Sequence, residues 1–183
     1  MVRMFKVELA WNQLPDPIDL DLSAFICKIH DGKHSVSDDS EVICYANPLG
    51  RNGSIEHLGD NRTGAAVDGI SGKETIICDM DGVSQSYLGI DEVMFFVSVF
   101  QGNNDGDPLE ESQMNHSIGR TDAVITVTEG DVVICSTRIS DVGDKLSAQV
   151  GVLTFSGKWV FELHSIGYMK NFPSVVNRLR FGI

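Results

Sequence analysis

"TDAVITVTEGDVVICSTRI", residues 121–139, holds two runs of period-two alternation that meet at Glu129-Gly130. Side chains of an extended chain point alternately to opposite faces, so each run reads as a strand with one face on a core. A Gly-containing turn this short between two such runs forces the second strand back alongside the first, which is an antiparallel hairpin. Ser156-Gly157 repeats the signal between QVGVLTF (149–155) and KWVFELH (158–164).

Further runs of the same kind lie upstream. Phe5, Val7, Leu9 and Trp11 alternate with Lys6, Glu8 and Ala10, followed by SAFICKI (23–29), EVICYA (41–46), ETIICD (74–79) and DEVMFFVSVF (91–100). The last is apolar on both faces, as a central strand would be. About nine strands joined by Gly, Asp and Ser turns, with almost no helical period, predict an all-β antiparallel sandwich. SVVNRLRF (174–181), after Pro173, reads as a short closing helix with Ser174 as its cap. No repeat or linker interrupts the pattern, and residues 1–183 are expected to form a single domain.

Fourteen Lys and Arg stand against 26 Asp and Glu, a formal net charge of -12. So few cations assemble poorly into a face for phosphate backbones, so nucleic acid and anionic membranes are not expected partners; cations are better candidates, with solubility alone the other reason for such acidity. No window reaches the ~18 apolar residues of a membrane span, and MVRMFKVELAW lacks the apolar run of a secretion signal. A cytoplasmic protein is the expectation. Cys27, Cys44, Cys78 and Cys135 are widely spaced inside apolar segments, so buried, reduced thiols are expected rather than disulfides or zinc ligands.

Chemistry concentrates at two places. Asp19 and Asp21 precede the SAFICKI strand and share one face of an extended chain, while Leu20 and Leu22 point the other way. Carboxylates about 4 Å apart repel by ~4 kcal/mol at an effective dielectric of 20, so one would hold a proton unless a positive partner were close. The second place is HLGDNRTGAAVDGISGKE, residues 57–74, which follows no strand or helix period. Asp60 and Asn61 lie between Gly59 and Gly64, and Asp68 and Glu74 add further carboxylates. Hard cations such as Ca2+ take six to eight oxygens, about 2.3–2.6 Å away, from such groups. The same residue types also make ordinary turns, with Arg62 pairing locally.

PIDLDLSAF (17–25), SDDSEVICYANP (37–48), GSIEHLGDNRTG (53–64) and SGKWVFELHSIGY (156–168) together resemble the TerD family of tellurium-resistance and stress-associated proteins. The likeness spans nearly the whole chain and implies a calcium-binding β-sandwich with metal held by acidic loops. By that resemblance the metal ligands are Asp19 and Asp21, Asp60 and Asn61, with Glu74 closing the loop. Gly59 and Gly64 would shape the loop, and Arg62 would tie it to its acidic surroundings. Three features depart from the family pattern. AAVDGISGK (65–73) carries Asp68 as its one carboxylate, Asn12 follows Trp11 where Asp is common, and GNNDGDPLEESQMNH (102–116) lengthens a connection.

Within that insert Asn103, Asp105, Gly106 and Asp107 resemble part of an EF-hand loop, but Gln101 and Ser112 stand where its acidic ligands belong, so a solvated loop is expected. None of the five His falls in a zinc spacing, so hydrogen-bonded structural or surface histidines are expected, with orientation of a carboxylate by His57 as the alternative. There is no GxSxG, phosphate-binding loop or dinucleotide motif. The expectation is a non-enzymatic calcium-binding stress-response module that engages protein partners. A metal-free interaction scaffold using residues 102–116 and a carboxylate-dependent hydrolase are the alternatives.

Overall fold

The computed structural model describes residues 3–65, 72–101 and 116–182. Alternating burial along β1 (Met4–Ala10) sends Phe5, Val7 and Leu9 inward, as their spacing predicts. β1 pairs antiparallel with β6 (Lys73–Asp79) on one side and β8 (Val124–Glu129) on the other. β5 (Ile55–His57) and β9 (Val132–Arg138) complete a sheet ordered β5-β6-β1-β8-β9.

The facing sheet runs from β11 (Trp159–Tyr168) through β10 (Ser147–Phe155), β7 (Glu92–Val99) and β2 (Leu20–His30) to β3 (Lys33–Ser35). A two-residue β4 (Val42–Ile43) pairs with β2. One apolar cluster joins inward residues of both sheets, among them Val7, Ile76 and Val127 from the first and Leu22, Phe95 and Leu153 from the second. Among the described residues every strand pairing is antiparallel. The molecule is thus an antiparallel β-sandwich.

β7 is buried at all eight positions. Val93, Phe95, Val97 and Val99 enter the core between the sheets, whereas Met94 and Phe96 join a second cluster on the outer face with Phe25, Cys27 and Val175. That outer face is covered by α2 (Phe172–Phe181), whose Phe172 ring lies 6.0 Å from that of Phe25. No helix among the described residues is long and apolar enough to cross a membrane.

Several local readings shift. Among the described residues eleven strands replace about nine, the additions being the three-residue β3 and β5. EVICYA contributes only Val42–Ile43 to a strand, because Cys44 and Asn47 exchange backbone hydrogen bonds of 3.2 and 3.0 Å and turn the chain. Both hairpins form, but the first turns at Gly130-Asp131, one residue later than read, since Glu129 still pairs with Val132. The helix is capped by Asn171, whose side chain accepts from Ser174 N–H at 3.2 Å, so Ser174 lies inside the helix rather than capping it. α1 (Met80–Ser86) has no counterpart in the sequence reading; Asp79 caps it by accepting from the N–H groups of Asp81 and Gly82. All four cysteines are free thiols, three of them buried, while Cys135 on the edge strand β9 is only half-buried.

Candidate metal centre

At one end of the sandwich β2 starts beside the loop that links β5 to β6. Leu20 and Leu22 are fully buried in the core, which commits Asp19 and Asp21 to the opposite side of the strand. Register is fixed by the pairing of Asp21 with Ser98 on β7 and by Phe100 N–H donating to Asp19 C=O at 2.9 Å. Trp11 anchors the approach to this strand, its indole N–H donating to Ile18 C=O at 3.0 Å.

The loop is shaped mainly by its own polar groups. Asn61 Oδ1 accepts from the N–H groups of Thr63 and Gly64 at 3.2 and 2.8 Å, and its Nδ2 donates to Ala65 C=O at 3.2 Å. Gly64 has φ +69°, and a Cβ there would lie 2.5 Å from the Trp11 indole. Glycine is required by both the backbone and the contact. Trp11 therefore braces both halves of the site.

Asp19, Asp21 and Asp60 are thereby brought together, each with a carboxylate oxygen within 4.8 Å of the others. Asp21 is buried, Asp19 half-buried and Asp60 exposed. Asp19 Oδ1 is buried and, among the described residues, accepts no hydrogen bond. Nearby, Arg62 Nε lies 3.7 Å from Asp19 Oδ2, and its guanidinium sits 6.0 Å from the Phe100 ring, which packs edge-on against Tyr45. Phe100 and Tyr45 were not singled out in the sequence; a strand-end aromatic beside an acidic loop was the available signal.

Glu74 lies beneath this group. Its Oε2 accepts from Leu22 N–H at 2.7 Å and lies 3.3 Å from His57 Nε2, and its Oε1 accepts from Asn61 N–H at 3.2 Å. One buried carboxylate thus joins the start of β2, the end of β5 and the loop. Asn61 and Glu74 stand beside the three aspartates with their side chains occupied in holding the loop, and His57 orients Glu74. Asp68 lies outside the described residues, as do Asn103, Asp105, Gly106 and Asp107 and all of the 102–116 insert except His116.

The electrostatics follow from that packing. Burial, then the proximity of Asp60, raises the Asp19 carboxyl to about 7, with Arg62 pulling the other way. Asp21 is raised to about 8 by burial and then by Glu74, Asp19 and Asp60. Burial also raises Glu74, opposed by its bonds to His57, Leu22 and Asn61. Anions this close repel by about 3–4 kcal/mol per pair at an effective dielectric of 20. The exposed Arg62, paired with Asp19 and weakly opposing the rise at Asp21, offsets a fraction of this. A donor set made only of oxygens, with one buried oxygen unsatisfied, fits a hard divalent cation.

A TerD domain model matches residues 1–176. The chain belongs to the TerD family. The tellurium resistance proteins TerD of Serratia marcescens and of an Alcaligenes species are each 26% identical to it over 162 residues, covering 86% of this chain and 75% of theirs. The stress response protein SCP2 of Bacillus subtilis is 32% identical over 82 residues, 45% of this chain and 37% of that protein. The crystal structure of a TerD homologue from Streptomyces coelicolor has a TM-score of 0.71 at 20% identity and covers 96% of both chains. A solved protein of unknown function has a TM-score of 0.73 at 18% identity, covering 96% of this chain and 95% of its own. At such identities the structural likeness bears on the fold, and the TerD assignment rests on the family match.

Proposed function

We propose that this TerD-family protein is a calcium-binding, non-enzymatic module of the tellurite-resistance and stress-response type, acting in the cytoplasm through protein partners. The observation that carries the metal reading is the convergence of Asp19, Asp21 and Asp60 around a buried, unsatisfied Asp19 oxygen. Those three residues would hold the ion, Asn61 and Glu74 would keep the loop in place, and Arg62 would remain at the rim. Bound calcium would supply the positive charge that the three carboxylates otherwise lack. The names of the matched relatives support the tellurium and stress context. Four unpaired thiols suit a reducing compartment. Glu74, one of the carboxylates that hydrolysis would call on, is sealed from solvent together with His57, which favours a binding module over carboxylate-dependent hydrolysis.

A ligand that binds only the folded form stabilises it by about 2.7 kcal/mol at a hundredfold excess over its dissociation constant. The test is a thermal scan in calcium, in magnesium and in chelator. A midpoint raised by calcium above both other conditions is expected; the same midpoint in all three would overturn the proposal.

A further inference from the structure

α2 covers the outer face of the β2–β7–β10 sheet only in part. Between the helix and the sheet lies a cleft of about 180 Å³, which shares no residue with the acidic cluster. Its floor is Met94 and Phe96, both buried, and one wall is Val175 and Leu179 from α2. The Tyr168 ring packs against that of Phe96, centroids 6.2 Å apart and tilted by 34°, so the two form one continuous aromatic side of the cleft. A cavity of roughly 150 Å³ accepts a benzene-sized ring, so this volume suits one ring with a short substituent.

The polar groups of the cleft divide into two kinds. Those inside are occupied by one another: Gln149 Nε2 lies 2.9 Å from His164 Nδ1, its Oε1 lies 3.5 Å from Tyr168 Oη, and His34 is paired with the buried Glu92. At the mouth stand Lys170 and Arg178, both exposed, and among the described residues neither forms an ion pair. Their neighbour Arg180 does, with Asp39. In a chain with a net charge of -12, two unpaired cations beside one apolar slot are a local reversal of sign.

We propose that this cleft binds a small organic carboxylate with an aromatic body, the ring lying on Met94 and Phe96 between Tyr168 and the α2 side chains Val175 and Leu179, and the carboxylate held by Lys170 and Arg178. Charge-assisted bonds of this kind are about twice as strong as neutral ones, so the acid is selected over its amide. The reading does not depend on the metal site.

The test follows the Met94 methyl carbon resonance of the full chain, in chelator, during titration with phenylacetate, phenylacetamide or acetate. Phenylacetate is expected to move the Met94 signal to saturation, with the amide and acetate each about tenfold weaker or more. A Lys170→Gln, Arg178→Gln double variant, altered only at exposed positions, should weaken phenylacetate by about tenfold or more while keeping the wild-type spectrum elsewhere. A Met94 signal unmoved into the millimolar range, equal binding of acid and amide, or unchanged affinity in the double variant would each overturn the assignment.

Discussion

The imidazole of His57 meets the carboxylate of Glu74 at 3.3 Å, with both side chains sealed from solvent. Glu74 also accepts the backbone N–H groups of Leu22 and Asn61, so one acid holds together three segments that are far apart in sequence. Removing a buried acceptor leaves its donors unsatisfied at about 1–3 kcal/mol each. Glu74→Ala is therefore expected to destabilise the protein by roughly 2–4 kcal/mol in chelator, measured by urea unfolding. A loss under about 0.5 kcal/mol, the range of inert surface changes, would show that the acid does not hold the loop.

Asp19 and Asp21, raised to about 7 and about 8, set the pH dependence. Between their unfolded value near 3.8 and these folded values the native state binds more protons than the unfolded one, so stability falls as pH rises through that window. In chelator the melting temperature should drop from pH 5 to pH 8, and calcium should restore it at the alkaline end far more than at the acid end. A neutral isostere removes the repulsion. Asp21→Asn should therefore melt above wild type at pH 8 in chelator and below it in calcium, and a variant less stable in both media would contradict this account.

Gly64 lies where a methyl group would meet the Trp11 indole at 2.5 Å, on a backbone with φ +69°. Overpacking of this kind costs about 1–3 kcal/mol, and a positive φ adds to it. Gly64→Ala should destabilise by roughly 2–4 kcal/mol by chemical denaturation and weaken calcium binding in calorimetry, because Trp11 also fixes the approach to Asp19. Wild-type calcium affinity in this variant would separate the loop from the site.

The cap of α2 is Asn171. Asn171→Ala should cost about 1 kcal/mol, measured by thermal unfolding, and more than Ser174→Ala, whose hydroxyl only donates to the Asn171 side chain at 2.8 Å. The reverse order would return the cap to Ser174.

What was legible in the sequence divides along physical lines. Val7 and Val127 alternate with polar neighbours because one face of each strand lies on the core, so the sandwich and both hairpins could be read from period and turn residues alone. Asp19 and Asp21 were readable as a pair for the same reason. The three-residue β3 and β5 are too short to carry a period, and α1 contains Gly82 and spans seven residues, so each is fixed by its tertiary partners rather than by its own pattern. EVICYA has the composition of a strand, yet Cys44 and Asn47 close a turn inside it, a backbone event that hydrophobicity does not register. In the site, the carboxylates could be named from the sequence, but the separation of Asp60 from Glu74 into different layers depends on which backbone N–H groups reach Glu74. That is settled only by the approach of β2 to β6.

The central claim is tested most directly by titrating calcium into the protein while following the side-chain carboxyl carbon resonances of Asp19, Asp21 and Asp60. The account predicts that the three signals move together, saturate at one shared concentration and lose that response in Asp21→Asn. Independent, non-saturating shifts, or none at all, would contradict a common metal site.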